Sequence, residues 1–158
     1  MKQDVLEFLN GTFVHYNAYR TNDYKSILEW LIKEKVIISN ILMEKPDNND
    51  LVDSFIIETE KYNFIFFVYG DCCSVSYINS IEDGDVLKGN YLIGYEEKVM
   101  DMEENEYRGE KIDIEEYLEV YNIDLKTNKG TCTIDFRNES NGYYGGYIGE
   151  VKLVRRIV

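Results

Sequence analysis

Two stretches in the C-terminal half, Tyr117 to Leu125 and Thr131 to Phe136, alternate apolar and polar residues with a period of two. Such alternation predicts strands with one face turned to a core. Lys126-Thr127-Asn128-Lys129-Gly130 lies between them as a hairpin loop, with Gly130 free to take a positive φ. Cys132, Ile134 and Phe136 then share one face. A different period governs residues 23–35. Ile27, Leu28, Trp30, Leu31 and Ile32 form an apolar stripe near the 3.6-residue repeat, with Lys25, Glu29, Lys33 and Glu34 largely opposite. Thr21, Asn22 or Asp23 caps this principal helix, which ends near Lys35. Val5, Leu6, Phe8 and Leu9 predict a shorter helical segment ended by Gly11.

The remaining runs lean toward strand. Val36 to Glu44 is extended, Pro46 to Asp50 is a loop, and Asp53 to Glu60 resumes a strand that turns at Lys61-Tyr62-Asn63. Phe64 to Tyr69 is a continuous apolar-aromatic run of the kind found in buried central strands. Ser74 to Ile81, Tyr91 to Met102 and Ile148 to Val158 complete the set, while Glu103 to Glu110 is too charged for a core. The expected fold class is α+β: a single domain over residues 1–158, with a twisted, mainly antiparallel sheet of about five to seven strands. The helix packs on one sheet face through Leu28, Trp30, Leu31 and Ile32.

The composition adds charge to this picture. The chain has 158 residues, 14 of them Tyr, and a formal net charge of −13. Residues 82–124 hold 15 acids against four bases, a net of −11, whereas residues 125–158 hold three acids against six bases. That distribution repels phosphate and argues against direct nucleic-acid binding. It suits a protein partner with a basic surface. The candidate acidic interaction surface comprises Glu96, Glu97, Asp101, Glu103, Glu104 and Glu106. No apolar run approaches 18 residues and no signal-peptide pattern opens the chain. Three cysteines, two of them adjacent, do not make a secreted disulfide framework. The expectation is a cytoplasmic protein without a membrane segment.

Two short motifs exceed what core packing requires. Tyr69-Gly70-Asp71-Cys72-Cys73-Ser74 and Ser140-Asn141-Gly142-Tyr143-Tyr144-Gly145-Gly146-Tyr147 each break a strand-like run with glycine and polar groups. The candidate binding residues are Asp71, Cys72, Cys73, Ser74, Asn141, Gly142, Tyr143, Tyr144 and Tyr147, taken to line one depression. Tyrosines among glycines offer flat, amphipathic surfaces for an interface or a stacked base. Catalytic and metal roles find no such support. Asp71 beside Cys72 opposes a thiolate. Vicinal cysteines on a strand point to opposite faces, so Cys72, Cys73, Cys132 and His15 lack the paired spacing of a zinc site. No calcium loop or phosphate-cradling signature is present, and no cofactor is expected.

Taken in order, Ile27-Leu28-Glu29-Trp30-Leu31-Ile32 into Lys35-Val36-Ile37-Ile38-Ser39-Asn40-Ile41, Asp71-Cys72-Cys73-Ser74, Tyr77-Ile78-Asn79-Ser80-Ile81, Leu92-Ile93-Gly94, Leu125 to Gly130 and Ser140-Asn141-Gly142-Tyr143-Tyr144 form a pattern. It resembles an uncharacterised family of small tailed-phage and prophage proteins from about Ser26 to Tyr147. The resemblance implies a small α+β or mostly β domain of mobile-element origin, with residues 1–24 an addition before a core of 25–158. It also implies a glycine after the first helix, where this chain has lysines. The expected function is that of a non-enzymatic phage accessory binding protein, an acidic inhibitor of a host or defence protein. The alternative is a binder of nucleotide-sized small molecules in the Tyr/Gly/Cys-lined depression. Oligomeric state is left open by the sequence.

Overall fold

The computed structural model describes residues 3–9, 18–47, 52–71, 74–100, 106–107, 110–111, 117–140 and 145–156. In chain order these form α1 (Val5–Leu9), β1 (Ala18–Thr21), α2 (Tyr24–Lys33), β2 (Ile38–Glu44), β3 (Ser54–Thr59), β4 (Tyr62–Gly70) and β5 (Val75–Glu82). A short 3-10 turn at Gly84–Val86 follows. Then come β6 (Gly94–Met100), β7 (Glu106–Tyr107), β8 (Glu110–Lys111), β9 (Tyr117–Thr127), β10 (Gly130–Ser140) and β11 (Gly146–Arg155).

The strands make two antiparallel sheets, a five-stranded one in the order β1-β11-β4-β3-β2 and a four-stranded one in the order β5-β10-β9-β6, with β7 and β8 a separate two-stranded ribbon. One core serves both sheets, with Phe64 and Phe66 from the first, Ile78 and Leu125 from the second, and Leu28 and Leu31 from α2 all at or below 1% exposure. Burial of each such side chain contributes roughly 1.5–3 kcal/mol.

This arrangement overturns the expected α+β class with a single sheet and a helix laid on its face. The protein is β-rich, and α2 is the one helix longer than five residues among the described residues. Instead of covering a face, α2 touches β11 of one sheet and β6 of the other and closes the gap between them. Alternation reports which side of a strand is apolar, not which strand lies beside it. Strands expected in one sheet, such as the successive β4 and β5, therefore belong to different sheets. Tyr62, expected in a turn, opens β4 and is 1% exposed.

The helix end explains the missing glycine. Lys35 takes a left-handed φ of 48°. The Lys35 N–H donates to the Ile32 carbonyl at 3.2 Å and the Val36 N–H to the Leu31 carbonyl at 3.1 Å. That paired pattern closes a helix with glycine favoured at the left-handed position. A side chain there carries a steric cost of about 1–2 kcal/mol. Lys35→Gly is accordingly expected to raise unfolding stability by about 1 kcal/mol, read from the midpoint of urea denaturation.

The N-terminal segment is tied down by one carboxylate. Asp4 accepts from Lys61 Nζ at 2.8 Å and from the Tyr62 hydroxyl at 2.9 Å, and Trp30 Nε1 donates to the Gln3 carbonyl at 2.9 Å. Burial works against the Asp4 charge, but the hydrogen bonds from Lys61, Tyr62 and the Leu6 N–H outweigh it and hold its pKa below the ordinary 3.8. A depressed carboxylate stabilises the fold fully above its unfolded pKa, and that stabilisation disappears as pH falls through the folded value. The wild type is thus expected to lose more melting temperature than Asp4→Asn between pH 6 and pH 2. At neutral pH Asp4→Ala is expected to cost about 1–3 kcal/mol, because the Tyr62 hydroxyl loses its acceptor.

Candidate functional site

β4 ends and β11 begins side by side. Gly70 pairs with Gly146 and Tyr69 with Tyr147, whose rings stack at 6.1 Å. The Asp71 N–H donates to the Gly145 carbonyl at 3.1 Å, and the Gly145 N–H donates back to Asp71 Oδ2 at 3.4 Å. Ser74 closes a tight turn by donating its N–H at 3.0 Å and its hydroxyl at 2.6 Å to the Asp71 carbonyl. Fully buried Asn138 of β10 donates to Ser74 Oγ and Ser76 Oγ at 3.0 and 2.9 Å. Gly70 is required by this crowding, since a Cβ there would lie 2.5 Å from Ser74 Oγ and 2.8 Å from Asn138 Nδ2. The described ends of both connections between the sheets, β4 to β5 and β10 to β11, thus meet at one corner.

The described parts of the two sequence motifs are therefore adjacent. Asp71, Ser74 and Tyr147 belong to this corner, with Tyr147 46% exposed. Cys72, Cys73, Asn141, Gly142, Tyr143 and Tyr144 lie outside the described residues, as does His15. The hydrogen bonds of Asp71 and Ser74 knit the corner together and give both residues a structural task.

Beside the corner opens a cleft of about 350 Å³ lined by residues of α2, β6, β9, β10 and β11. Strand phase explains it. Tyr95, Glu97 and Val99 of β6 pair with Leu125, Ile123 and Tyr121 of β9, so all three sit on the core-facing side of the four-stranded sheet. Val99 is nevertheless 65% exposed, so the space in front of this edge is unfilled. β1 covers β11 only from Val151 onward, and among the described residues no strand pairs with the outer edge of Gly146–Ile148 next to the cleft. Tyr121 forms the floor, stacked on Phe136 at 4.9 Å. Its hydroxyl donates to the Glu119 carboxylate and accepts the Gly146 N–H at 3.1 Å. Tyr24, Tyr147 and Ile148 complete the walls.

Charge in the cleft comes from β6. Partial burial pushes the Glu97 carboxyl above its ordinary pKa, and Lys25 of α2 reaches it only at 3.9 Å. Lys98, on the opposite phase, is drawn to Asp124 at 3.3 Å and Glu96 at 3.6 Å. Glu96 in turn accepts from Lys126 at 3.1 Å. The vicinal pair Glu96/Glu97 is thus split between two faces, one carboxylate neutralised by lysines and the other turned into the cleft. Sequence reasoning grouped the two by adjacency. Reading Tyr95, Glu97 and Val99 as one phase was the signal that separates them. Asp101, Glu103 and Glu104 lie outside the described residues, and only the backbone of Glu106, in β7, is described.

Cys132 is fully buried on β10, and desolvation, with Asp83 and Asp124 adding to it, pushes its thiol up to about 12. Among the described residues no three His, Cys, Asp or Glu side chains converge on a point that would hold a metal. No helix among them is long and apolar enough to cross a membrane.

No curated protein and no solved structure matches this chain. One family profile does, over residues 3–149, which takes in the cleft and every strand except most of β11. The chain belongs to the family of the domain of unknown function DUF7448.

Proposed function

We propose that the chain is a non-enzymatic binding protein of phage or prophage origin, and that the cleft between α2, β6 and β11 receives a basic side chain of a protein partner. The observation that carries this reading is Glu97, a carboxylate on the core-facing phase of an edge strand, set among Tyr24, Tyr121 and Tyr147. A guanidinium or ammonium group gains there from a partly desolvated carboxylate and from aromatic ring faces. Lys98 does not compete, being held by Asp124 and Glu96. The net charge of −13 favours the approach of a basic surface, and the reading extends to inhibition of a host or defence protein.

A second reading rests on the cleft's size. About 350 Å³ falls within the range of small-ligand pockets, so a nucleotide-sized ligand stacked on tyrosine is the alternative.

Calorimetric titration separates the two. An arginine-containing peptide is expected to bind with salt-dependent affinity, weakened about tenfold or more (~1.4 kcal/mol) by Glu97→Gln and by Tyr147→Ala. Nucleotide binding that survives Glu97→Gln selects the second reading. Binding of neither probe by the folded chain removes the cleft as a ligand site.

A further inference from the structure

The outward face of the five-stranded sheet departs from the alternation that its inward face obeys. Phe55, Ile57, Phe64, Phe66, Val151 and Leu153 point inward and are buried to 1% exposure or less. The intervening residues face away from the core, and an uncovered antiparallel sheet carries polar residues there. Here the registers instead run Leu42 beside Ile56, Ile56 beside Ile65, and Ile65 beside Lys152, with Lys152 beside Arg20. Phe67 lies one row further along β4, between Ser54 and Glu150. Four large apolar side chains on three adjacent strands therefore form a continuous outward patch. Leu42 is 42% exposed, Ile56, Ile65 and Phe67 are half-buried, and Phe67 lines a hollow with Arg20, Glu44, Pro46 and Val52. A contiguous apolar patch framed by charge marks an association surface.

The frame around the patch is polarised. On the β1–β11 side stand Arg20 and Lys152, and on the β2–β3 side stand Glu44 and Glu58. Arg20 is paired with Glu150 at 2.8 Å, while Lys152, Glu44 and Glu58 make no ion pair among the described residues. A two-fold axis running along β4 sets the basic side of one copy opposite the acidic side of the other and places Ile65 and Phe67 at the centre. An axis across the strands would oppose like charges. The pattern is self-complementary, as an isologous interface must be.

We infer that this face is a self-association surface and that its occupant is a second copy of the chain, packed sheet on sheet. Aligned sheet packing places such faces about 10 Å apart with interdigitated side chains.

Sedimentation velocity on the full chain tests the inference. A concentration-dependent dimer is expected. Ile65→Lys, and independently Leu42→Glu at the exposed edge, are expected to weaken it at least tenfold with the melting curve retained. Lys152→Glu is expected to weaken it as well, and Lys152→Glu combined with Glu58→Lys to restore it. A monomer at every accessible concentration overturns the inference, as does a dimer indifferent to both Ile65→Lys and Leu42→Glu. A chain that stays monomeric yet binds a different protein through Leu42 and Ile65 also overturns it, in favour of a heterologous occupant. Because these residues lie away from the cleft, peptide titration of the same variants reports separately on ligand binding.

Discussion

Replacing Arg137 by methionine is expected to destabilise the fold by about 3–5 kcal/mol. Arg137 and Asp135 are neighbours on one face of β10, with side chains only 6% and 2% exposed, joined through Nε–Oδ1 at 3.3 Å and Nη2–Oδ2 at 3.2 Å. Among the contacts described for the Asp135 carboxylate, the substitution leaves the donor Asn79 Nδ2 at 3.2 Å. The cost comes from a carboxylate kept from water without its counter-charge, not from the pair's intrinsic worth. The double variant Asp135→Leu/Arg137→Met, which removes both charges, is expected to recover most of the loss. Urea denaturation of the two single variants and the double completes the cycle. A single-variant loss below about 1 kcal/mol would show that water reaches the pair.

Phe66→Ala is the second large effect, expected to cost about 3–5 kcal/mol. Phe66 is fully buried in β4, the middle strand of the five-stranded sheet, and its ring stacks on Phe55 at 4.6 Å with 4° between planes. Truncation removes that contact and leaves a void between the sheets that the rigid strands cannot close. Phe66→Leu, which keeps most of the volume, is expected to lose less than about 1.5 kcal/mol. The neighbouring Phe67→Ala should fall well below Phe66→Ala in folding cost, because Phe67 faces outward. Equal losses at positions 66 and 67 would contradict the strand phase on which the outward patch depends.

These two sites show what the residues themselves disclose. The run Phe64 to Tyr69 identifies a central strand without any partner, since only a strand apolar on both sides reads that way. Likewise Tyr117–Leu125, Lys126–Gly130 and Thr131–Phe136 identify the β9–β10 hairpin, because its register is fixed locally by the turn. The division into two sheets is different, resting on pairings such as Tyr69 with Tyr147, 78 positions apart, that leave no local trace. Asp135 and Arg137 mislead for a related reason: their phase opposite Ile134 and Phe136 implies a solvated face, yet both are buried. The candidate site was half visible. Glycine and tyrosine at Gly70 and Gly145–Tyr147 pointed to the corner where the sheets connect, whereas the cleft beside it appears only when β6, β11 and α2 are brought together.

β11 follows every other described strand in sequence but lies between β1 and β4 in the sheet. During synthesis, then, the five-stranded layer stays open until residue 155 has cleared the ribosome, and Phe64 to Val68 must wait without their neighbour. Pairings this distant in sequence close slowly. The nascent chain consequently passes through an interval in which its most aggregation-prone strand is unprotected, and chaperone engagement should peak there and end when β11 inserts.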